Sequence, residues 1–166
     1  MKTFLLHVII ALTVSYELLR SVITTAIPYN ATFALLLFIL VFILFWLTTA
    51  LYNREYFRKL PKALGLYGYF IKEMIHANLT IAYDILTPSF SMTPSVLKLP
   101  LTARSNLEIT LLVIIISLTP GTLCLDLDED KRILYIHALY FDDGGTDKLR
   151  QSIKNGFERR LLEIMR

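Results

Sequence analysis

The sequence is poor in three things. It has one cysteine, Cys124, in 166 residues. A lone cysteine closes no intrachain disulfide and supplies no cysteine-based zinc site, as expected of a chain kept where thiols stay reduced. Six glycines and six prolines are too few for a collagen-like or linker-rich chain. Charge is the third scarcity: 19% of residues, against 55% hydrophobic, where soluble chains carry about 25% charged residues. A fully soluble globule is excluded, and the apolar content excludes a disordered chain. Catalytic signatures are lacking as well. The sequence has no phosphate-binding glycine loop, no nucleophile elbow and no pair of catalytic carboxylates. Asp126, Asp128 and Asp130 imitate the opening of a calcium loop, but Lys131 stands at its glycine position and His137 at its last ligand position. That pattern fails and reads better as a hairpin turn. No metal or cofactor is expected.

The charge that is present is unevenly placed. Residues 1–52 hold only Lys2, Glu17 and Arg20, and the other 28 of the 31 charged residues lie in 53–166. Net charge runs +1 over 1–52, +4 over 53–104 and −2 over 105–166. A basic block after an apolar run marks the cytoplasmic side of a membrane. The slightly acidic end argues against a nucleic-acid partner. Three parts are expected: transmembrane helices in 1–52; a basic flank, amphipathic helix and linker in 53–94; and a small α+β domain in 95–166.

Ala31 to Tyr52 is uncharged over 22 positions. As a helix it extends roughly 33 Å, enough to cross a hydrocarbon core of about 30 Å. Trp46 and Tyr52 lie toward its end, where aromatic rings favour the interface. The first apolar run is interrupted by Glu17 and Arg20 and stops at Pro28-Tyr29-Asn30. It resembles a signal peptide only in part, since no clear small-x-small cleavage site follows. A helix from about Lys2 to Ile27 fits better, with Glu17 and Arg20 one turn apart as an opposite-charge pair. They lie either inside the bilayer facing protein or among headgroups. Two spans place both termini, and the C-terminal domain, in the cytoplasm.

Pro61 is suited to the first turn of a helix, and the pattern stays helical to Leu86. Phe70, Met74, Ala77, Ile81 and Ile85 share one face; Glu73, His76, Thr80 and Asp84 share another, with Lys72 beside them. Such a helix lies in a membrane surface or stands in the membrane with its polar stripe against a partner. Lys72, Glu73 and His76 suit a proton path; a solvated or partner-facing stripe is the plainer reading. The prolines of Thr87–Pro94 make a linker. Leu97, Leu99 and Leu101 alternate as an edge strand. Ser105 or Asn106 caps a helix, with Glu108 in its first turn. Leu107–Leu118 is too short to span alone, so it is either a buried helix on a sheet or a membrane-dipping one. Pro120-Gly121 forces a turn. A hairpin of Thr122–Leu127 and Ile133–Phe141 follows, ended by Asp142–Gly145. A last helix, capped by Thr146 or Asp147, turns Leu149, Ile153, Phe157, Leu161 and Ile164 inward and Lys148, Lys154, Glu158 and Arg159 outward. The fold class is a membrane α-helical part, two transmembrane helices plus an amphipathic helix, followed by a small cytoplasmic β-α-β-β-α, ferredoxin-like domain. The patterns Asn30-Ala31-Thr32 and Asn78-Leu79-Thr80 match glycosylation acceptors, a weak signal.

Several ordered motifs resemble the E subunit of the multisubunit Mrp-type cation/proton antiporters. They are Leu107-Glu108-Ile109-Thr110, Leu118-Thr119-Pro120-Gly121-Thr122, Leu123-Cys124-Leu125-Asp126, Leu134-Tyr135-Ile136-His137 and Phe157-Glu158-Arg159-Arg160, with Ile71-Lys72-Glu73 and Ala77-Asn78 upstream. The resemblance covers about residues 60–166; the spans agree in hydropathy only, and Ser117 replaces a threonine usual in the family. It implies a non-enzymatic accessory subunit of the cell membrane, without cofactor. Such a subunit is partnered by other membrane subunits and contributes to assembly and activity of a Na+/H+ antiporter. Archaeal hydrogenase-type respiratory complexes carry a similar module, so the same subunit in such a complex is a second reading. A direct proton conductor using Glu17, Lys72, Glu73 and His76 is a third.

Overall fold

The computed structural model describes residues 2–23, 30–88, 92–140 and 145–166. The chain divides into two compact units, Met1–Leu60 and Pro61–Arg166.

In the first unit α1 (Lys2–Ile23) packs on α2 (Ala31–Tyr52). The α2 bounds match the uncharged run. The expected continuation of α1 to Ile27, and its stop at Pro28-Tyr29, lie outside the described residues. Both helices are long and apolar enough to cross a membrane. They meet through small or polar side chains: Ala11, Ser15 and Thr49 are buried, which lets two backbones approach. Asn30 caps α2, its Oδ1 accepting from the Thr32 N–H at 3.0 Å. Asn53 serves two helices. Its N–H closes α2 on the Thr49 carbonyl at 2.7 Å, and its Oδ1 accepts from the Tyr56 N–H at 3.0 Å.

That second bond accounts for one correction. The next helix, α3, runs Arg54–Leu86, and Pro61 lies inside it rather than at its first turn. An asparagine cap outweighs the loss of one N–H at Pro61. Pro61 begins the second unit.

That unit contains the rest of α3 and a three-stranded antiparallel sheet in the order β1-β3-β2, from β1 (Ser95–Pro100), β2 (Thr122–Leu127) and β3 (Ile133–Ala138). Leu97 faces Ile136 and Leu99 faces Leu134 across the first pair; all four are essentially fully buried. Leu101 falls beyond β1, although its N–H still reaches the Arg132 carbonyl. β3 ends at Ala138, short of the expected Phe141, with Leu139 and Tyr140 already outside the strand; position 141 and the expected stop at 142–144 lie outside the described residues. Asp128 and Lys131 close the hairpin turn, with Lys131 at φ 54°.

Helix α4 (Asn106–Leu118) crosses one sheet face. It buries Ile109, Leu112 and Ile116 but leaves Leu107, Ile114 and Leu118 exposed, so it is half covered rather than buried all round. The last helix is also interrupted. α5 (Gly145–Ser152) passes into a π-helical segment, Ile153–Glu158, before α6 (Arg159–Met165). A π turn adds a residue per turn and here turns Gly156, Phe157 and Glu158 all inward. Ile153, Phe157 and Leu161 join the core, and Leu66, Tyr69 and Phe70 of α3 pack onto it.

Candidate functional site

The site begins with the turn between α4 and β2. Thr119, Pro120, Gly121 and Thr122 form a β-turn closed by Thr122 N–H donating to the Thr119 carbonyl at 3.2 Å. Proline pre-sets the second position and the third needs positive φ; Gly121 sits at φ 83°. Both threonine hydroxyls turn back onto the end of α4. Thr119 Oγ1 donates to the Ile116 carbonyl, and Thr122 Oγ1 lies 2.6 Å from the same oxygen and 2.9 Å from Thr119 Oγ1. The motif thus satisfies carbonyls that a helix end leaves without partners.

A cavity of about 370 Å3 opens beside this turn, within the second unit. Its walls bring together Lys72, Glu73, His76 and Thr80 of α3 with the whole turn, Thr119, Pro120, Gly121 and Thr122, closed by Tyr140, Lys148 and Ser152. Lys72 Nζ is 3.9 Å from Glu73 Oε1 and largely exposed, while Glu73 is half-buried. Farther along α3, Asp84 is buried. Burial and the Asp84 carboxylate push the Tyr140 phenol up from its ordinary pKa. Lys72, His76 and Lys148, beside the Glu73 carboxylate and several hydroxyls, make a cleft suited to a polar side chain. The polar face of α3 borders its own unit: Glu73 and Thr80 line this cavity and are half-buried, and Asp84 is buried. Ile85, expected to join the Phe70–Ile81 face, is exposed.

Two buried carboxylates brace the second unit. Glu158, expected to face outward, is 1% exposed. It accepts the N–H groups of Thr102 and Ala103, the latter at 2.8 Å, and pairs with Lys154 Nζ at 2.8 Å. Adjacent loop amides need an acceptor, and the π segment delivers it. Glu108 completes the capping box at Ser105. The Arg104 N–H, the Arg166 guanidinium and the Ser105 N–H hold its carboxyl down at about 2. Gly156 lies under Tyr69: a β-carbon there would be 2.3 Å from the Tyr69 hydroxyl. Arg160 stacks on the same ring at 4.9 Å.

Other candidates disperse. Glu17 and Arg20 are exposed on α1, in the first unit, and among the described residues no ion pair joins them. Asn30 and Asn78 have local structural partners, Asn78 Nδ2 donating to the Met74 carbonyl at 2.9 Å. His137 lies on β3 between Val96 and Leu123. Burial raises the Cys124 thiol, and its Sγ lies 3.8 Å from the Val113 carbonyl. No group of three metal-ligating side chains occurs among the described residues. One polar cluster escaped the sequence reading. His7 is buried between the apolar helices, its Nε2 is 2.8 Å from Tyr52 Oη, and its ring stacks on Tyr56 at 5.3 Å. The signal was available: a histidine within an apolar run needs a partner.

Comparison with known proteins sets this architecture among transporters. A family model described as a Na+/H+ ion antiporter subunit matches residues 9–164. The chain is 36% identical to the E subunit of the Na+/H+ antiporter of Alkalihalophilus pseudofirmus over 75% of its length and 77% of the relative's. It is 35% identical to the corresponding E subunit of Bacillus subtilis over 67% and 69%. Among solved structures, a chain of the Mrp complex from a Dietzia species aligns with TM-score 0.46 and 30% identity, over 59% of this chain and 90% of that one. A chain of an archaeal membrane-bound sulfane sulfur reductase aligns with TM-score 0.49 and 20% identity, over 97% and 98%. The family match runs through both units, from α1 to α6, and on that ground the chain belongs to the family of Na+/H+ antiporter subunits, alongside the E subunits.

Proposed function

We propose that this chain is a non-enzymatic accessory subunit of a multisubunit Na+/H+ antiporter. In this reading α1 and α2 cross the cell membrane, the second unit lies on the cytoplasmic side, and the partners are the other membrane subunits. The chain contributes to assembly and activity of the ion-translocating module. The observation that carries the reading is the family match over residues 9–164. The second unit is read as a ferredoxin-like β-α-β-β-α domain; the order β1-β3-β2 supports it. Glu73 and His76, set against the Thr119–Thr122 turn, are read as positions that receive a neighbouring subunit's side chain.

The test is purification of the tagged chain from its own membrane. Recovery only within a large assembly, and loss of Na+ tolerance when the chain is deleted, are the expected results. A stable lone monomer, with Na+/H+ exchange unchanged on deletion, would sink the reading.

A further inference from the structure

Helix α3 is turned inside out for a helix of a water-soluble domain. Glu73, Thr80 and Asp84 face the body of its own unit, while the outward side carries Leu64, Ile75, Leu79 and Leu86, each more than half exposed. Within Pro61–Leu86 the only acids are Glu73 and Asp84, and both are turned inward. The charged or titratable groups bordering the apolar stripe are therefore Lys72 and His76, both exposed. Tyr67 and Tyr83 are exposed as well. An apolar stripe with a cationic edge, no outward carboxylate and exposed tyrosines is the pattern of a helix that lies in a membrane interface. The chain adds a second argument. A single residue, Asn53, separates α3 from the apolar α2, and Arg54 and Arg58 are exposed in the first turns that follow. If α2 spans, α3 starts at the bilayer surface.

We infer that the outward face of α3, from Leu64 to Leu86, binds an anionic lipid surface, its apolar stripe entering the boundary between headgroups and acyl chains and Lys72 lying at the phosphates. This rests on the reading of α2 as a span, and the test separates the two. In a Cys124→Ser background, single cysteines at Ile75, Leu79, Leu40 and Glu129 of the full chain are labelled with a fluorophore. The protein is placed in vesicles of phosphatidylcholine, alone or with an equal part of phosphatidylglycerol, containing lipids brominated near the headgroup end or near the chain terminus. The expected result is about a twofold fluorescence loss at 75 and 79 from the shallow bromines, greater in the anionic vesicles and reduced by Lys72→Glu. Leu40 should be quenched by the deep bromines and Glu129 by neither. Quenching at 40 without quenching at 75 or 79 overturns the inference and leaves the span standing. Quenching at 75 and 79 without 40 sinks the span and leaves the interfacial helix. Shielding that appears only at high protein-to-lipid ratio assigns the face to a second copy and overturns it too. Amide exchange on the unsubstituted chain is the check free of variants: α3 should be slowed by anionic vesicles, and equal exchange in both lipids counts against the inference.

Discussion

The two units use the same apolar residues in opposite senses. In Met1–Leu60 the leucines point outward: Leu12, Leu35 and Leu44 are more than half exposed, and the contact between helices uses Ala11, Ser15, Thr49 and His7 with Val41 and the Phe4–Phe42 ring pair. In Pro61–Arg166 a set of leucines and isoleucines goes inward, Leu99 and Ile136 to complete burial, while the outward side of α3 keeps Leu64, Leu79 and Leu86 exposed. There, water drives burial at about 1.5–3 kcal/mol per large side chain. Between spans lipid is as apolar as leucine, and close packing with a few hydrogen bonds takes over. The second unit also buries acids, and Glu108 and Glu158 each draw on backbone donors. On the proposed reading of α1 and α2 as spans, what separates the two units is the medium around each.

Substitutions can break that contrast. The largest effect is expected at Glu158. Glu158→Ala removes the acceptor of two loop amides and the partner of Lys154, and should cost roughly 3 kcal/mol, read by chemical unfolding and by faster exchange at Thr102 and Ala103. Gly156→Ala forces Tyr69 off the π segment and should cost about 2 kcal/mol, with the loss visible as detachment of α3 in exchange measurements. Glu108 sharpens the contrast through pH. Its folded pKa of about 2 lies below the ordinary 4.5, so its contribution is complete above about pH 4.5 and is lost as pH falls toward 2. Glu108→Gln should flatten that acid slope in unfolding curves. Gly121→Ala, strained at positive φ, should cost about 1 kcal/mol, seen as a lowered Tm. The smallest effect belongs to the first unit. His7→Leu removes one hydrogen bond to Tyr52, worth about 1 kcal/mol or less, and should leave the α1–α2 pair folded in detergent by circular dichroism.

Sequence alone exposed what depends on local chemistry. The uncharged run gave the α2 bounds, Ser105 with Glu108 gave the cap of α4, and Pro120-Gly121 gave the turn. What it concealed depends on distant partners. Glu158 follows a helical pattern that places it outside; only the needs of the Thr102 and Ala103 amides, and a π turn without sequence signature, bring it in. Pro61 reads as a helix start because proline favours first turns, yet Asn53 begins the helix earlier. For the site, the residue types on α3 and the turn were legible separately. Their meeting in one cavity was not, since the two lie more than forty positions apart and only tertiary packing joins them.

The π segment acts as a phase adjuster for the end of the chain. Removing one residue between Ile153 and Glu158 would let an ordinary α-helix run through with nearly the same net rotation, because the wider π turn already absorbs its extra residue. Leu161, Leu162 and Arg166 would keep their places against the rest of the domain. The length of this stretch is consequently less tightly fixed than that of the α-helices on either side, and a relative lacking one residue there would keep the same packing of α6. A one-residue deletion at Asn155 should therefore leave Leu161 and Leu162 packed, read as unchanged amide exchange in α6.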